Sequence, residues 1–178
     1  MGKRSDFARV ERDFYPTPFQ ALDPLLPHLC KSTVFYEPCA GDGRLVGYMR
    51  DAGHNCMMAC DIEPRAPDID TVDVFDLTAA GVQDMGIPIT NPPWKRSILH
   101  PLIEHLLDIS GECWLLFDAD WPHTKQSAEL MRLCTDIVPV GRVKWIPDSP
   151  HTGKDNCCWY RFSLDGKSRP AELHPRRA

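Results

Sequence analysis

Five short apolar runs, each followed by a turn and a helical or polar stretch, precede two further runs separated by only nine polar residues. No other feature limits the fold as much. The first five are "STVFYEP" (32–38), "NCMMACDI" (55–62), the weaker "IDTVDVFDL" (69–77), "MGIPITN" (85–91) and "ECWLLFDADW" (112–121). Their apolar residues are continuous rather than alternating, which is the pattern of strands buried on both faces of a parallel sheet. The last two, "DIVPVGRVKWI" (136–146) and "NCCWYRFSL" (156–164), are joined by "PDSPHTGKD". That loop has no room for a crossover helix, so the pair must be antiparallel. Between strands, "RLVGYMRDAG" and "TKQSAELMRLC" read as helices. So does "RSILHPLIEHLLDIS", with apolar residues at Leu99, Leu102, Ile103, Leu106 and Leu107. Pro101 suits a first helical turn, so this helix is expected to begin near Leu99. The fold class expected is α/β: a mostly parallel seven-stranded sheet with one antiparallel edge strand and helices on both faces.

With 178 residues, 43% of them hydrophobic, the chain suits one domain. Residues 13–165 are expected to form it, with charged tails at 1–12 and 166–178. The net charge of −5 excludes a generally basic nucleic-acid binder, so any such surface must be local. No apolar run approaches the roughly 20 residues of a membrane span. The start, "MGKRSDFARV", lacks a signal peptide's apolar segment, so a cytosolic protein is expected. Eight cysteines include no CxxC pair, and most lie in apolar runs. His54, Cys56 and Cys60 have no second ligand pair at metal spacing, so buried reduced thiols are expected and no metal.

The first run leads directly into "EPCAGDGRLV". A strand, then Gly41 and Gly43, then a helix brings a ligand against backbone N–H groups. Glu37 and Asp42 flank this turn and would repel a pyrophosphate, but they suit a ligand bearing ammonium and sulfonium charges. The turn also lacks the Lys-Ser/Thr of a P-loop. These features favour S-adenosylmethionine over a nucleotide. Asp61 ends the second run, where an acid can take both ribose hydroxyls. Asp73, expected to end the third strand, can accept from an adenine amine, with Asp76 as its substitute.

"EPCAGDGRL", "DIEP" and then "NPPW" (91–94) at the end of the fourth run resemble the class I S-adenosylmethionine-dependent methyltransferases. More narrowly, the chain is similar to the N6-adenine amino-methyltransferases, most of all the small ones carried by bacteriophages and prophages. "DFYPTP" (13–18) resembles the family segment that closes over the methionine end of the cofactor. The resemblance implies strand order 3-2-1-4-5-7-6. It also implies a cofactor site at Tyr15, Thr17, Pro18, Glu37, Cys39, Ala40, Gly41, Gly43, Asp61, Ile62, Asp73, Val74 and Asn91. Thr17 is the candidate partner of the cofactor carboxylate.

The chemistry implied for "NPPW" follows from a poor nucleophile, since the adenine amine's lone pair is delocalised into the ring. The Asn91 side-chain oxygen and the Pro92 carbonyl can accept its two hydrogens and point the lone pair at the methyl group. Pro93 restricts the backbone of Pro92 and keeps that carbonyl aimed. Trp94 offers a face on which a flipped base can stack, and Phe14 or Tyr15 can pack nearby. Asn91, Pro92, Pro93 and Trp94 are thus the candidate catalytic residues, with adenine in DNA the expected acceptor. No stretch of these 178 residues is expected to form a separate target-recognition region. Lys95, Arg96, Lys125, Arg142, Lys144 and Lys154 are candidate phosphate contacts, and a homodimer is one way to complete recognition. Two alternatives stand beside this reading: an RNA adenine or protein glutamine acceptor, and a non-catalytic cofactor-binding protein.

Overall fold

The apolar runs assemble into one sheet because each must bury both faces. The computed structural model describes residues 14–146, 153–166 and 169–176. The expected N-terminal tail (1–12), Asp13 and most of the 147–155 loop lie outside them. The described strands are β1 (Val34–Glu37), β2 (Asn55–Asp61), β3 (Asp70–Thr71), β4 (Ile87–Thr90), β5 (Glu112–Asp118), β6 (Cys134–Arg142), β7 (Asn156–Ser163) and β8 (Glu172–Leu173). Their order is β3-β2-β1-β4-β5-β7-β6-β8. This is the expected order with one strand added, and only β7 runs against its neighbours.

The added strand corrects the expectation of a C-terminal tail at 166–178. Without it, β6 would present an unpaired edge, a ready template for unwanted pairing. Glu172 and Leu173 pair in parallel with Asp136 and Ile137, and the His174 N–H donates to the Ile137 carbonyl. His174 Nε2 also meets Asp136 Oδ1 at 3.0 Å.

The helices are α1 (Phe19–Leu22), α2 (Arg44–Asp51), α3 (Ala79–Val82), α4 (Arg96–Ser110) and α5 (Ala128–Met131). α4 begins at Arg96 rather than near Leu99, so Pro101 lies inside it. Proline costs the bond to the carbonyl four residues earlier. Here Ser97 and Pro101 are both exposed, so water can serve the freed carbonyl. Gly111, at φ +75°, ends the helix in the left-handed conformation that glycine adopts without strain. The helix read over 124–134 is a 3₁₀ turn, Lys125–Ser127, followed by the short α5. The N-terminal stretch 18–29 forms α1 and a separate 3₁₀ turn, Leu26–His28, rather than one helix. Pro24 and Pro27 lack the N–H groups a continuous helix needs.

Both sheet faces are covered. On one, Leu102, Leu106, Leu115, Phe117, Tyr160 and Phe162 pack together, with Phe117 stacked on Tyr160 at 4.2 Å. On the other, Phe35, Ile89, Trp114, Leu116 and Trp159 meet Leu22, Leu25, Leu45 and Met49. Trp159 is fully buried, and its indole N–H donates to the Ala21 carbonyl at 2.7 Å, tying α1 to the sheet. Truncating such a side chain typically costs about 3–5 kcal/mol.

Parallel pairing decides where the site residues fall. Glu37 pairs with Ala59, Asp61 with Thr71, and Thr90 with Leu115. The carboxyl ends of β1, β2, β3, β4 and β5 therefore open on one edge. The end of β6 joins them, because Asp118 and Gly141 both pair with Cys157.

Candidate functional site

β1 ends at Glu37, and the chain turns sharply through Gly41 and Gly43 into α2. Both glycines have positive φ, +56° and +76°. Asp61 holds this turn from the next strand. Its Oδ2 accepts the Gly41 N–H at 2.9 Å, and its Oδ1 accepts the Glu63 N–H at 2.8 Å. The Arg65 N–H donates to the Gly41 carbonyl at 2.8 Å, so the segment after β2 is tied to the glycine turn at both ends. Ile62 is 53% exposed beside it, an apolar side chain facing solvent at the mouth of a polar turn.

Glu37 is 2% exposed, and its Oε2 has no hydrogen-bond partner. Burial pushes its carboxyl well above the ordinary carboxylate range, and the charges of Asp61 and Asp42 push it further, against an opposing backbone hydrogen bond from Val46. A buried acceptor without a donor is costly, by about 1–3 kcal/mol. A ligand ammonium would satisfy this oxygen and favour its charged form.

Asp73 does not end a strand. β3 stops at Thr71: the Val72 N–H makes the last bond to β2, at the Asp61 carbonyl, and the chain then turns. The Asp73 carboxylate caps the following 3₁₀ turn (Val74–Asp76), accepting the Phe75 N–H at 3.0 Å. Val74 is turned into the core, and its carbonyl bonds His105 Nε2 at 2.9 Å. Cys39 and Ala40 lie on the floor of the glycine turn, Cys39 packed against the core and Ala40 buried.

At the end of β4, Asn91 is half-buried, Pro92 buried and Pro93 half-buried. Asn91 Nδ2 donates to Thr17 Oγ1 at 3.1 Å. The Trp94 indole N–H donates both to Asn91 Oδ1 and to the Leu116 carbonyl of β5, each at 3.1 Å. The indole stands edge-on to Trp145, 5.7 Å between centroids. Thr17, expected on the cofactor carboxylate, accepts here from Asn91 and keeps its own hydroxyl hydrogen for donation. Tyr15 and Pro18, on either side of it, are half-buried. Phe14 packs on the glycine turn. Its ring lies on Gly41, where a Cβ would meet it at 2.6 Å, and the Arg65 guanidinium sits 4.2 Å over the ring.

The structure thus gathers Thr17, Glu37, Gly41, Asp61, Asp73 and Asn91 at the carboxyl edge of adjacent strands. This arrangement, with strand order 3-2-1-4-5-7-6 beneath it, is decisive for the architecture. The fold is that of the class I methyltransferases. Solved structures agree. PH1948 from Pyrococcus horikoshii, described as a candidate RNA methyltransferase, superposes with TM-score 0.61 at 20% identity over 89% of this chain and 90% of that one. Mtq2 of the E. cuniculi Mtq2–Trm112 complex, responsible for methylation of the eRF1 translation termination factor, gives 0.57 at 13% identity over 82% and 93%. The 23S rRNA methyltransferase ErmE gives 0.54 at 11% identity over 89% and 72%. No family model matches the sequence, and a sequence search of curated proteins finds no match.

On this methyltransferase fold, Lys95, Arg96, Lys125, Arg142, Lys144 and Lys154 are all exposed. They follow β4 and β5, end or follow β6, or precede β7, which places them on the same edge as the glycine turn. Asp118, Asp120 and Asp155 share that edge, so the basic character is local. His54 and the two cysteines beside it form no cluster: His54 Nδ1 accepts the Thr33 N–H at 3.1 Å, while Cys60 is buried. Among the described residues, no helix is long and apolar enough to cross a membrane. Sequence reasoning missed Arg65, Trp145 and the Leu116 carbonyl. None carries a local signal, since each acts only through chain segments brought together by the sheet.

Proposed function

We propose that this chain transfers a methyl group from S-adenosylmethionine to an exocyclic amino nitrogen, with N6 of adenine in DNA as acceptor. The observation that carries the reading is the placement of Asn91-Pro92-Pro93-Trp94 at the end of β4, beside the glycine turn of β1. The residues present fit the cofactor. Glu37 supplies a buried carboxylate oxygen with no other partner, and Gly41 and Gly43 expose backbone in a turn held by Asp61.

When bound, the cofactor would supply an electrophilic methyl group on a sulfonium, whose S–C bond breaks as the new N–C bond forms, leaving neutral S-adenosylhomocysteine as the second product. The chain's own residues do the rest. Asn91 Oδ1 accepts one hydrogen of the acceptor amine and the Pro92 carbonyl accepts the other, so the nitrogen lone pair is turned toward the methyl carbon. As the N–C bond forms, positive charge grows on nitrogen, and these two oxygens stabilise it without having to reorganise. The nitrogen then loses one proton to solvent. The half-buried Trp94 face gives the base a surface to rest on once it has left the stack. The exposed cations on the loops after β4, β5 and β6 suit phosphate contacts.

An RNA adenine acceptor is the second reading, supported by the RNA substrates in the descriptions of PH1948 and ErmE. The separating experiment incubates the protein with labelled S-adenosylmethionine and DNA, RNA and protein pools. Nucleosides and amino acids are then identified by mass. N6-methyladenine in the DNA pool is expected. Label confined to RNA would transfer the reading to the second acceptor, and label confined to cytosine or protein would defeat both.

A further inference from the structure

Building on the amino-methyl transfer proposed above, we infer that Thr17 and Trp94 are positioning residues that clamp the Asn91 amide from both ends and aim its oxygen at the acceptor amine. The argument begins with the indole. Its N–H can only donate, so the Asn91 atom 3.1 Å away must be the oxygen. The amide nitrogen then faces Thr17 Oγ1 at 3.1 Å, and the hydroxyl must accept. A flipped amide would set its own N–H groups against the indole N–H. The indole contact selects one amide orientation, which a terminal torsion with two broad wells would not select alone, and Thr17, whose hydroxyl can donate or accept, holds the other end of the amide in that setting.

Both clamps are themselves held. Thr17 is buried at 7% exposure, at the entry to α1. The Trp94 N–H has a second acceptor, the Leu116 carbonyl, so the ring is anchored to β5 as well as to Asn91. An amide oxygen has two lone pairs, and the indole uses one. The second remains for a hydrogen of the substrate amine. With the clamp removed, the amide can turn its nitrogen toward the amine, donor facing donor, and the acceptor is lost in that fraction of molecules. Trp94 thus has a role that a phenylalanine or tyrosine ring in its place would not fill, since neither carries an N–H at that point.

The test compares Thr17→Val, Thr17→Ser and Trp94→Phe with the wild type. Turnover is measured at saturating S-adenosylmethionine and DNA, and cofactor affinity separately by calorimetry. Thr17→Val keeps the shape of the side chain but cannot accept, and Trp94→Phe keeps an aromatic face but has no donor. Each is expected to lower kcat about 10- to 100-fold, the usual range when a reacting group loses its orientation. Thr17→Ser restores most of the turnover. Wild-type kcat at saturation in Thr17→Val, whatever happens to cofactor affinity, overturns the role of Thr17; wild-type kcat in Trp94→Phe overturns that of Trp94. A spectroscopic arm stands apart from activity. In ¹⁵N spectra the Asn91 side-chain NH₂ is expected to shift and exchange faster with solvent in Thr17→Val. An unchanged NH₂ signal refutes the clamp. A wild type that methylates no acceptor refutes the proposed function and leaves this spectrum as the clamp's own test.

Discussion

Thr17 Oγ1 accepts a hydrogen bond from the Asn91 side-chain amide at 3.1 Å, although 74 positions separate the two residues. The contact joins the N-terminal segment to the end of β4. Three residues earlier, the Phe14 ring lies on Gly41 at the end of β1. One short segment thus touches both the glycine turn and the acceptor motif.

Asn91→Ala removes an acceptor used most fully as charge builds on the attacking nitrogen. Turnover is expected to fall about 10²- to 10³-fold. Affinity for S-adenosylmethionine should change little, because Glu37, Gly41 and Asp61 come from β1 and β2. Single-turnover kinetics with calorimetry on the same preparation check both halves. A mutant that methylates at the wild-type rate would remove Asn91 from the chemistry.

Asp61→Ala is expected to show two effects. Its carboxylate holds the Gly41 and Glu63 N–H groups, so the glycine turn loosens and stability falls by about 1–2 kcal/mol, limited by partial exposure. Cofactor binding should weaken by about 1.5–3 kcal/mol, the range for a lost hydrogen bond to a charged group. Urea unfolding measures the first and calorimetry the second. Unchanged cofactor affinity in a folded mutant would leave Asp61 with the turn alone.

Gly41→Ala meets two obstacles. A φ of +56° costs a residue with a Cβ about 1–2 kcal/mol, and that Cβ would lie 2.6 Å from the Phe14 ring. Adding Phe14→Ala should remove the clash but not the backbone cost. The double mutant is therefore expected to recover only part of the stability lost by Gly41→Ala, measured against Phe14→Ala alone. Full additivity of the two changes in unfolding free energy would show that Phe14 does not press on Gly41.

Glu37 gives a pH dependence of definite sign. Its folded carboxyl titrates well above the ordinary range because it is buried near Asp61 and Asp42. The folded state therefore holds a proton that the unfolded state has released. Its contribution to stability is complete below the unfolded carboxylate pKa and is lost as pH rises through the folded one. Glu37→Gln should flatten this decline in the ligand-free protein and weaken binding of a cationic cofactor. Denaturant midpoints of both proteins from pH 5 upward provide the check. Parallel curves would show that Glu37 does not titrate in this way.

Much of this protein is legible in the chain itself. Continuous apolar runs require strands buried on both faces, a nine-residue polar link forbids a crossover helix, and "EPCAGDG" and "NPPW" place a backbone cradle and an amide at strand ends. These are local constraints, set by residues within a few positions of one another. What tertiary structure alone decided depends on partners far apart in the chain. β8 exists because the β6 edge needs hydrogen bonds, not because "EL" favours a strand. Asp73 became a cap and Val74 a core residue because β3 stops after two pairs. The orientation of Asn91 depends on a threonine from before β1 and on an indole bound to the Leu116 carbonyl of β5. An amide's direction is set by the donors and acceptors around it, and only the closed sheet brings these together.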